Sequence, residues 1–152
     1  MSSNIKIMKN LVKNVLLSLT FMSLIPMTAQ AAAPGSNSSE QFDWTSVMEA
    51  IILVESEGNP RAVSGNSVGA MQITPILVRE CNNILKDRKS KKRFTLADRY
   101  DVAKSKEMFL LIQSHYNPEN NVEKAIRSWN GGQRYSIRAT NRYFKKVMRR
   151  IK

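Results

Sequence analysis

Apolar residues recur along this chain at helical spacing and almost nowhere at strand spacing, and this constrains the fold more than any other feature. Trp44, Val47, Met48, Ile51 and Ile52 fall at i, i+3, i+4, i+7 and i+8, and Glu55 continues the same stripe at i+11. Asp43 is placed to cap that helix and Gly58 to stop it. Thr74-Pro75 reads as a cap followed by proline at the first helical position. Leu77, Val78, Cys81, Ile84 and Leu85 then form a second stripe, which turns Cys81 toward the core. Val102 to His115, with the run Met108 to Ile112, is predicted as a core helix broken by Asn117-Pro118. Val122, Ala125, Ile126 and Trp129 make a short stripe ended by Asn130-Gly131-Gly132. A last helix is predicted from about Thr140 to Lys152, with Tyr143, Phe144, Val147, Met148 and Ile151 on one side and Lys145, Lys146, Arg149 and Arg150 around the other. Ser64 to Ser67 reads as a polar loop, and Lys86 to Arg93, with six bases in eight residues, as a solvated one. No internal repeat is visible. The expected fold class is mostly α, a compact helical domain.

The first 31 residues read as an export signal. Lys6, Lys9 and Lys13 precede an apolar run from Val15 to Ile25, then Pro26, then Ala29-Gln30-Ala31. A basic stretch, a short apolar stretch and an A-x-A site in that order describe a secretory leader cleaved after Ala31. The apolar run has about 11 residues where a spanning helix needs about 20, so an uncleaved anchor is the lesser alternative. No cysteine stands near the site to take a lipid. Residues 32–41 are expected to form a flexible linker and 42–152 the working domain, with no transmembrane segment in the mature chain. The expected location is periplasmic or extracellular.

Charge narrows the partners. The whole chain carries +12, with 24 Lys and Arg against 12 Asp and Glu. Without the three lysines of the leader it carries +9, unevenly spread. Residues 33–84 hold six acids and two bases, and residues 85–152 hold nineteen bases and six acids. Such a balance points to an anionic partner, whether nucleic acid, an anionic membrane or an acidic wall polymer. Export and the absence of any nucleic-acid-binding motif argue against the first. One Cys and one His fall short of a metal set built from those residue types, and a lone Cys forms no internal disulfide. No cofactor is implied; His115 and Cys81 read as structural.

Among the acids, Glu55 is singled out by its surroundings. It lies on the apolar stripe, whereas Glu57, two residues on, is rotated by about 200°. Burial beside Ile51 and Ile52 and the negative end of the helix dipole both favour the protonated form. A glutamic acid held neutral near pH 6 to 7 is what protonation of a glycosidic oxygen requires. Periodicity alone leaves open whether Glu55 is such an acid or a boundary residue at a helix end.

The wider pattern is more specific. Glu55-Ser56-Glu57-Gly58-Asn59-Pro60-Arg61-Ala62-Val63-Ser64, followed by Gly69-Ala70-Met71-Gln72-Ile73-Thr74-Pro75, resembles the soluble lytic transglycosylases of the goose-lysozyme-like superfamily. Their pattern reads E-S-x-x-N-P-x-A-x-S and then G-L-M-Q-x-x-P. Trp129-Asn130-Gly131-Gly132 is similar to their Y-N-x-G motif, and Thr140, Tyr143 and Val147 are similar to their terminal T-x-x-Y-V element. The blocks keep the family's order between Val47 and Val147. Three differences stand out: the Ser64 to Gln72 interval is one residue shorter than usual, Ala70 replaces leucine, and Trp129 replaces tyrosine. The last exchanges a phenol for an indole N–H and a stacking face.

The resemblance implies a lysozyme-like helical domain in which Glu55 is the single acid and base. It implies that Ser64 and Gln72 hydrogen-bond the sugar, that Asn130 lines the cleft, and that Tyr143 stands near the Glu55 carboxyl. The implied reaction breaks the β-1,4 bond between N-acetylmuramic acid and N-acetylglucosamine and closes a 1,6-anhydro ring. The residues themselves leave alternatives. Gln72 also suits the surface of a tight turn, Trp129 suits either core or sugar stacking, and Tyr143 suits the buried face of its helix. A hydrolase of the same bond would need a second carboxylate about 6.5–9.5 Å from the first, for which Asp98 and Asp101 are the candidates. A non-catalytic wall-binding or assembly factor is the rival from another class. The expected partner is the peptidoglycan glycan strand. The compact domain favours, by analogy, service to a conjugation or secretion apparatus over general wall turnover.

Overall fold

The computed structural model describes residues 42–152, so the leader expected over 1–31 and the linker expected over 32–41 lie outside the described residues. Five α-helices carry the described residues: α1 Thr45–Ser56, α2 Pro75–Asp87, α3 Val102–Tyr116, α4 Val122–Gly131 and α5 Ile137–Met148. Between α1 and α2 runs a minimal antiparallel hairpin, β1 Val63–Ser64 with β2 Ser67–Val68, and a 3-10 turn over Ala97–Tyr100 precedes α3. The mostly α fold expected from the stripes is the fold observed.

Each helix forms where an apolar stripe meets a local start signal. Thr74 accepts the Leu77 N–H at 3.2 Å ahead of Pro75, a cap of the kind that contributes about 1 kcal/mol. Asp101 caps α3 through Lys104 N–H and Asn121 caps α4 through Lys124 N–H. The stripes then converge on one core, in which Ile51, Ile84, Met108, Phe109, Ile126 and Val147 are fully buried.

Several boundaries depart from expectation. Asp43 accepts the Thr45 N–H, and the cap position passes to Trp44, which the core takes in against the edge of Phe109. α1 ends at Ser56, not at Gly58, because Glu57 itself turns left-handed at φ 56°. Ser64 to Ser67, expected as a loop, is the tip of the hairpin. α2 continues through Asp87 into the expected basic loop. α5 starts three residues before Thr140, where Ser136 accepts the Ala139 N–H. Met148, expected on the buried side of α5, is 42% exposed.

Two glycines act through close approach. Gly131 is helical, yet a Cβ there would stand 2.8 Å from both Thr140 Cγ2 and Tyr135 Cβ; Gly132 alone supplies the positive φ of the α4–α5 corner. Gly69, at φ 79°, carries its Cα against the 3-10 turn, where a Cβ would fall 1.8 Å from the Arg99 carbonyl oxygen. Gly69→Ala must therefore both strain the backbone and push the turn away, and is expected to cost about 3 kcal/mol in urea unfolding. Gly65→Ala, also at positive φ but facing open space, is expected to cost about 1 kcal/mol. Equal losses would show that the contact with Arg99 is not what requires glycine.

Candidate active site

The last turn of α1 presents Glu55 to a cleft of about 240 Å³ lined by Glu55, Ser64, Ser67, Gln72, Thr74, Leu77, Trp129 and Asn130. Four of the six residues singled out in the sequence thus join Glu55 around one cavity or at its rim, and the sixth, Tyr143, reaches Glu55 from α5. The shortened interval between Ser64 and Gln72 still brings both to this cleft. Ser67, Thr74 and Leu77 were legible only as loop, cap and apolar stripe. Nothing in their spacing tells that the hairpin and the start of α2 turn toward Glu55.

The Glu55 side chain is partly buried, and Tyr143 O–H donates to its Oε1 at 2.7 Å. Burial raises the carboxyl above its ordinary range, and the Tyr143 hydrogen bond opposes this in part. Burial, with Glu55 close by, raises the Tyr143 phenol as well, so it remains a donor. The Trp129 side chain makes no hydrogen bond to the carboxyl. Its indole N–H instead donates to the Met71 carbonyl at 3.2 Å, while its ring packs 5.2 Å from Phe109. Trp129 is core on one side and cleft wall on the other.

The loop opposite Glu55 is fastened at several points. Ser56 Oγ donates to the Ala70 carbonyl at 2.8 Å, tying the loop to the end of α1. Val68 and Ile73 pair across the turn, and Ala70, Met71 and Ile73 are buried beneath it. Arg99 Nη1 reaches the Asn66 and Ile73 carbonyls. Gln72 adopts φ 50°, uncommon for a residue with a side chain, and its Nε2 donates to Gly69 O at 2.9 Å and Ala62 O at 3.3 Å. With its amide nitrogen turned into the loop, Gln72 has its carbonyl oxygen left to accept from a ligand.

Asp98 and Asp101 do not line the cleft. Asp98 accepts the Thr95 N–H and Asp101 caps α3, so both are engaged in local structure. Glu55 is the one carboxyl among the lining residues. Glu57 lines a separate and larger depression, about 500 Å³, with Leu53, Val54, Lys146, Arg149 and Arg150. Volume alone would favour that depression, but it offers no carboxyl of the kind Glu55 presents, since Glu57 is exposed. Cys81 is buried, its thiol pushed up to about 12 chiefly by burial, and His115 is exposed against the edge of Tyr116. Among the described residues no three His, Cys, Asp or Glu side chains gather as metal ligands would.

A carboxyl held protonated by the fold leaves a mark on stability. The unfolded chain releases the Glu55 proton near the ordinary value of 4.5, whereas the folded chain keeps it to higher pH, so stability is lost as the pH rises from 4.5 through the folded-state pKa and levels off above it. Glu55→Gln removes the loss and keeps an oxygen for Tyr143. The variant is expected to melt above the parent at neutral pH, with the gap closing as the pH falls toward 4.5. Melting curves across pH test this, and a variant less stable at neutral pH would show that the ionised carboxyl is favoured in the fold.

A family model described as the Transglycosylase SLT domain matches residues 32–151. Neither the curated proteins nor the solved structures compared with the chain gave a match. The match spans most of the chain, its lysozyme-like helical architecture is the one described above, and the activity it carries is directed at peptidoglycan. By that match the chain belongs to the transglycosylase SLT-domain family.

Proposed function

We propose that the chain is a lytic transglycosylase that breaks the β-1,4 bond between N-acetylmuramic acid and N-acetylglucosamine and leaves a 1,6-anhydromuramic end. One observation carries the reading: the cleft is lined by a single carboxyl, and burial keeps that carboxyl protonated beyond its ordinary range. Glu55 gives its proton to the glycosidic oxygen as the bond to the muramic C1 breaks. The carboxylate left behind takes the proton of the muramic C6 hydroxyl, whose oxygen bonds to C1 and closes the ring. The proton count returns to its start and no water is consumed. A hydrolase would need a second carboxylate to activate water, and the two candidates are engaged elsewhere. A module that only gripped glycan would have no use for a carboxyl with a raised pKa.

In this reading Tyr143 orients the acid, Ser64, Asn130 and the Gln72 carbonyl oxygen bind sugar hydroxyls and acetamido groups, and Trp129 forms a wall of the cleft. The proposal includes export, on the strength of the basic stretch, apolar run and A-x-A site over residues 1–31, with the catalytic domain over 42–152. Compactness is the only feature that favours service to a conjugation or secretion apparatus, so the proposal is confined to the wall substrate.

Mass spectrometry of muropeptides released from purified sacculi is the test. The expected products carry anhydro ends, lighter by one water than reducing ends; reducing ends alone would assign a hydrolase instead. Glu55→Gln is expected to lower turnover by about 100-fold or more. Because the acid must be protonated, activity falls as the pH rises through the Glu55 pKa. Tyr143→Phe removes the hydrogen bond that lowers that pKa, so the falling limb of the pH profile should move to higher pH while kcat drops. An unmoved limb would take Tyr143 out of the acid's environment.

A further inference from the structure

Away from the cleft, the outward face of α5 carries a charge pattern that the helix does not need for its own stability. From Arg138 to Lys152 there are seven bases and no acid, and all seven are exposed. The ion pairs among the described residues are Lys92 and Lys104 with Glu107, Lys106 with Glu49, and Arg127 with Glu123; none uses these seven. Arg138, Arg142, Lys145 and Arg149 fall at i, i+4, i+7 and i+11 and so form one stripe opposite buried Thr140 and Val147. Lys145 and Lys146 in the last turn are favoured by the helix dipole. Arg138 stands in the first turn, at the positive end of that dipole, and Arg138 with Arg142 is a like-charge pair at i, i+4. Local energetics disfavours both placements, so an external anion is what makes sense of them.

The apolar residues beside the stripe decide what kind of anion. Ile137 is 66% exposed and Met148 42%, and eleven residues apart they share one flank of α5. On the other flank Leu53, 43% exposed, lines the 500 Å³ depression together with Lys146, Arg149 and Arg150. A soluble polyanion has no use for exposed apolar side chains among its cations, whereas a lipid surface takes both, phosphates on the charges and the acyl boundary on the apolar groups. No helix among the described residues is long and apolar enough to cross a membrane, so such contact would be peripheral.

We propose that the outward face of α5 is a docking surface for an anionic phospholipid bilayer, with Arg138, Arg142, Lys145 and Arg149 on headgroup phosphates and Ile137 and Met148 at the acyl boundary. The surface lies on the side of α5 opposite the buried face from which Tyr143 reaches Glu55, and no residue of the cleft belongs to it.

The test reads α5 itself, so that lipid binding by any other part of the chain does not count. In the full chain, Met148→Cys is labelled with an environment-sensitive dye; Cys81, buried and with its thiol pushed up to about 12, stays unlabelled. The emission is expected to shift to the blue with phosphatidylglycerol-containing vesicles and not with phosphatidylcholine vesicles. Adding Arg142→Gln, Lys145→Gln and Arg149→Gln should raise the lipid concentration for half the shift about 100-fold, since each basic residue near the surface is worth about 1 kcal/mol. Arg142→Lys with Arg149→Lys should keep the parent response, and melting curves confirm that each variant is folded. A shift of equal size on both vesicles, no shift on either, or a parent-like response from the neutralised variant overturns the proposal. A shift with double-stranded DNA and none with vesicles also overturns it and makes this a nucleic-acid face.

Discussion

A hydrogen bond spanning 88 residues of sequence, from Tyr143 to Glu55, sets the terms for the rest of the molecule. For the proposed reaction the carboxyl must be dry enough to keep its proton and open enough to meet a sugar oxygen; burial raises its pKa, and the single donor Tyr143 opposes this in part. The placement of that donor depends on how α5 is seated. Arg127, 4% exposed, donates to Glu123 beside it on α4, to the Ile137 carbonyl and to the Thr140 hydroxyl, and its guanidinium lies 4.2 Å over the Phe144 ring. Gly131 allows Thr140 to come that close. A buried guanidinium without these partners would be very costly, so the set acts as one joint between α4 and α5.

The opposite wall of the cleft follows a different logic. Instead of one joint it has several small fastenings: Ser56 on Ala70, Trp129 on Met71, Arg99 across the hairpin and Gln72 on its own turn. Together they hold Gln72 in a left-handed conformation and the chain beyond Glu55 in two successive residues of positive φ, Glu57 and Gly58. A short loop with no regular ladder of hydrogen bonds keeps a fixed shape only by such cross-links. In the proposed reaction, that fixed shape would let a small domain offer several groups to the sugar at constant distance from one acid.

Charge is arranged so that these two tasks do not interfere. The cleft holds one carboxyl, and the dense cations of the C-terminal region stand on the outside of α5 or in the stretch after α2, where Lys92 pairs with Glu107. A cation facing Glu55 would favour its ionised form and undo the effect of burial. The acidic first half does not mass its carboxylates at the cleft: Glu55 alone lines it, while Glu49 pairs with Lys106 and Glu57 lines the depression beside Lys146, Arg149 and Arg150.

Much of this was legible in the chain. Helical stripes specify which side of each segment is buried, because apolar periodicity and burial are the same physical fact, and they indicated the five helices and the inward side of Cys81. The run of residues around Glu55, with Gln72, Asn130 and Tyr143 in order, indicated the family. What tertiary structure alone decided are the matters in which distant segments meet. Ser136 caps the start of α5, a local signal, but the seat of α5 against α4 is set by the bonds of Arg127 to the Ile137 carbonyl and the Thr140 hydroxyl, and no local signal carries that pairing. Trp129 donates to the Met71 carbonyl, 58 residues away in sequence, and Tyr143 to Glu55, and neither partner is written in local spacing. Ser67, Thr74 and Leu77 face the cleft because of how a two-residue hairpin folds back, and Gly69 is glycine because Arg99 lies against it. Local pattern determines what each segment is; which atoms of two segments touch depends on packing, and packing is settled only when all of the segments are present.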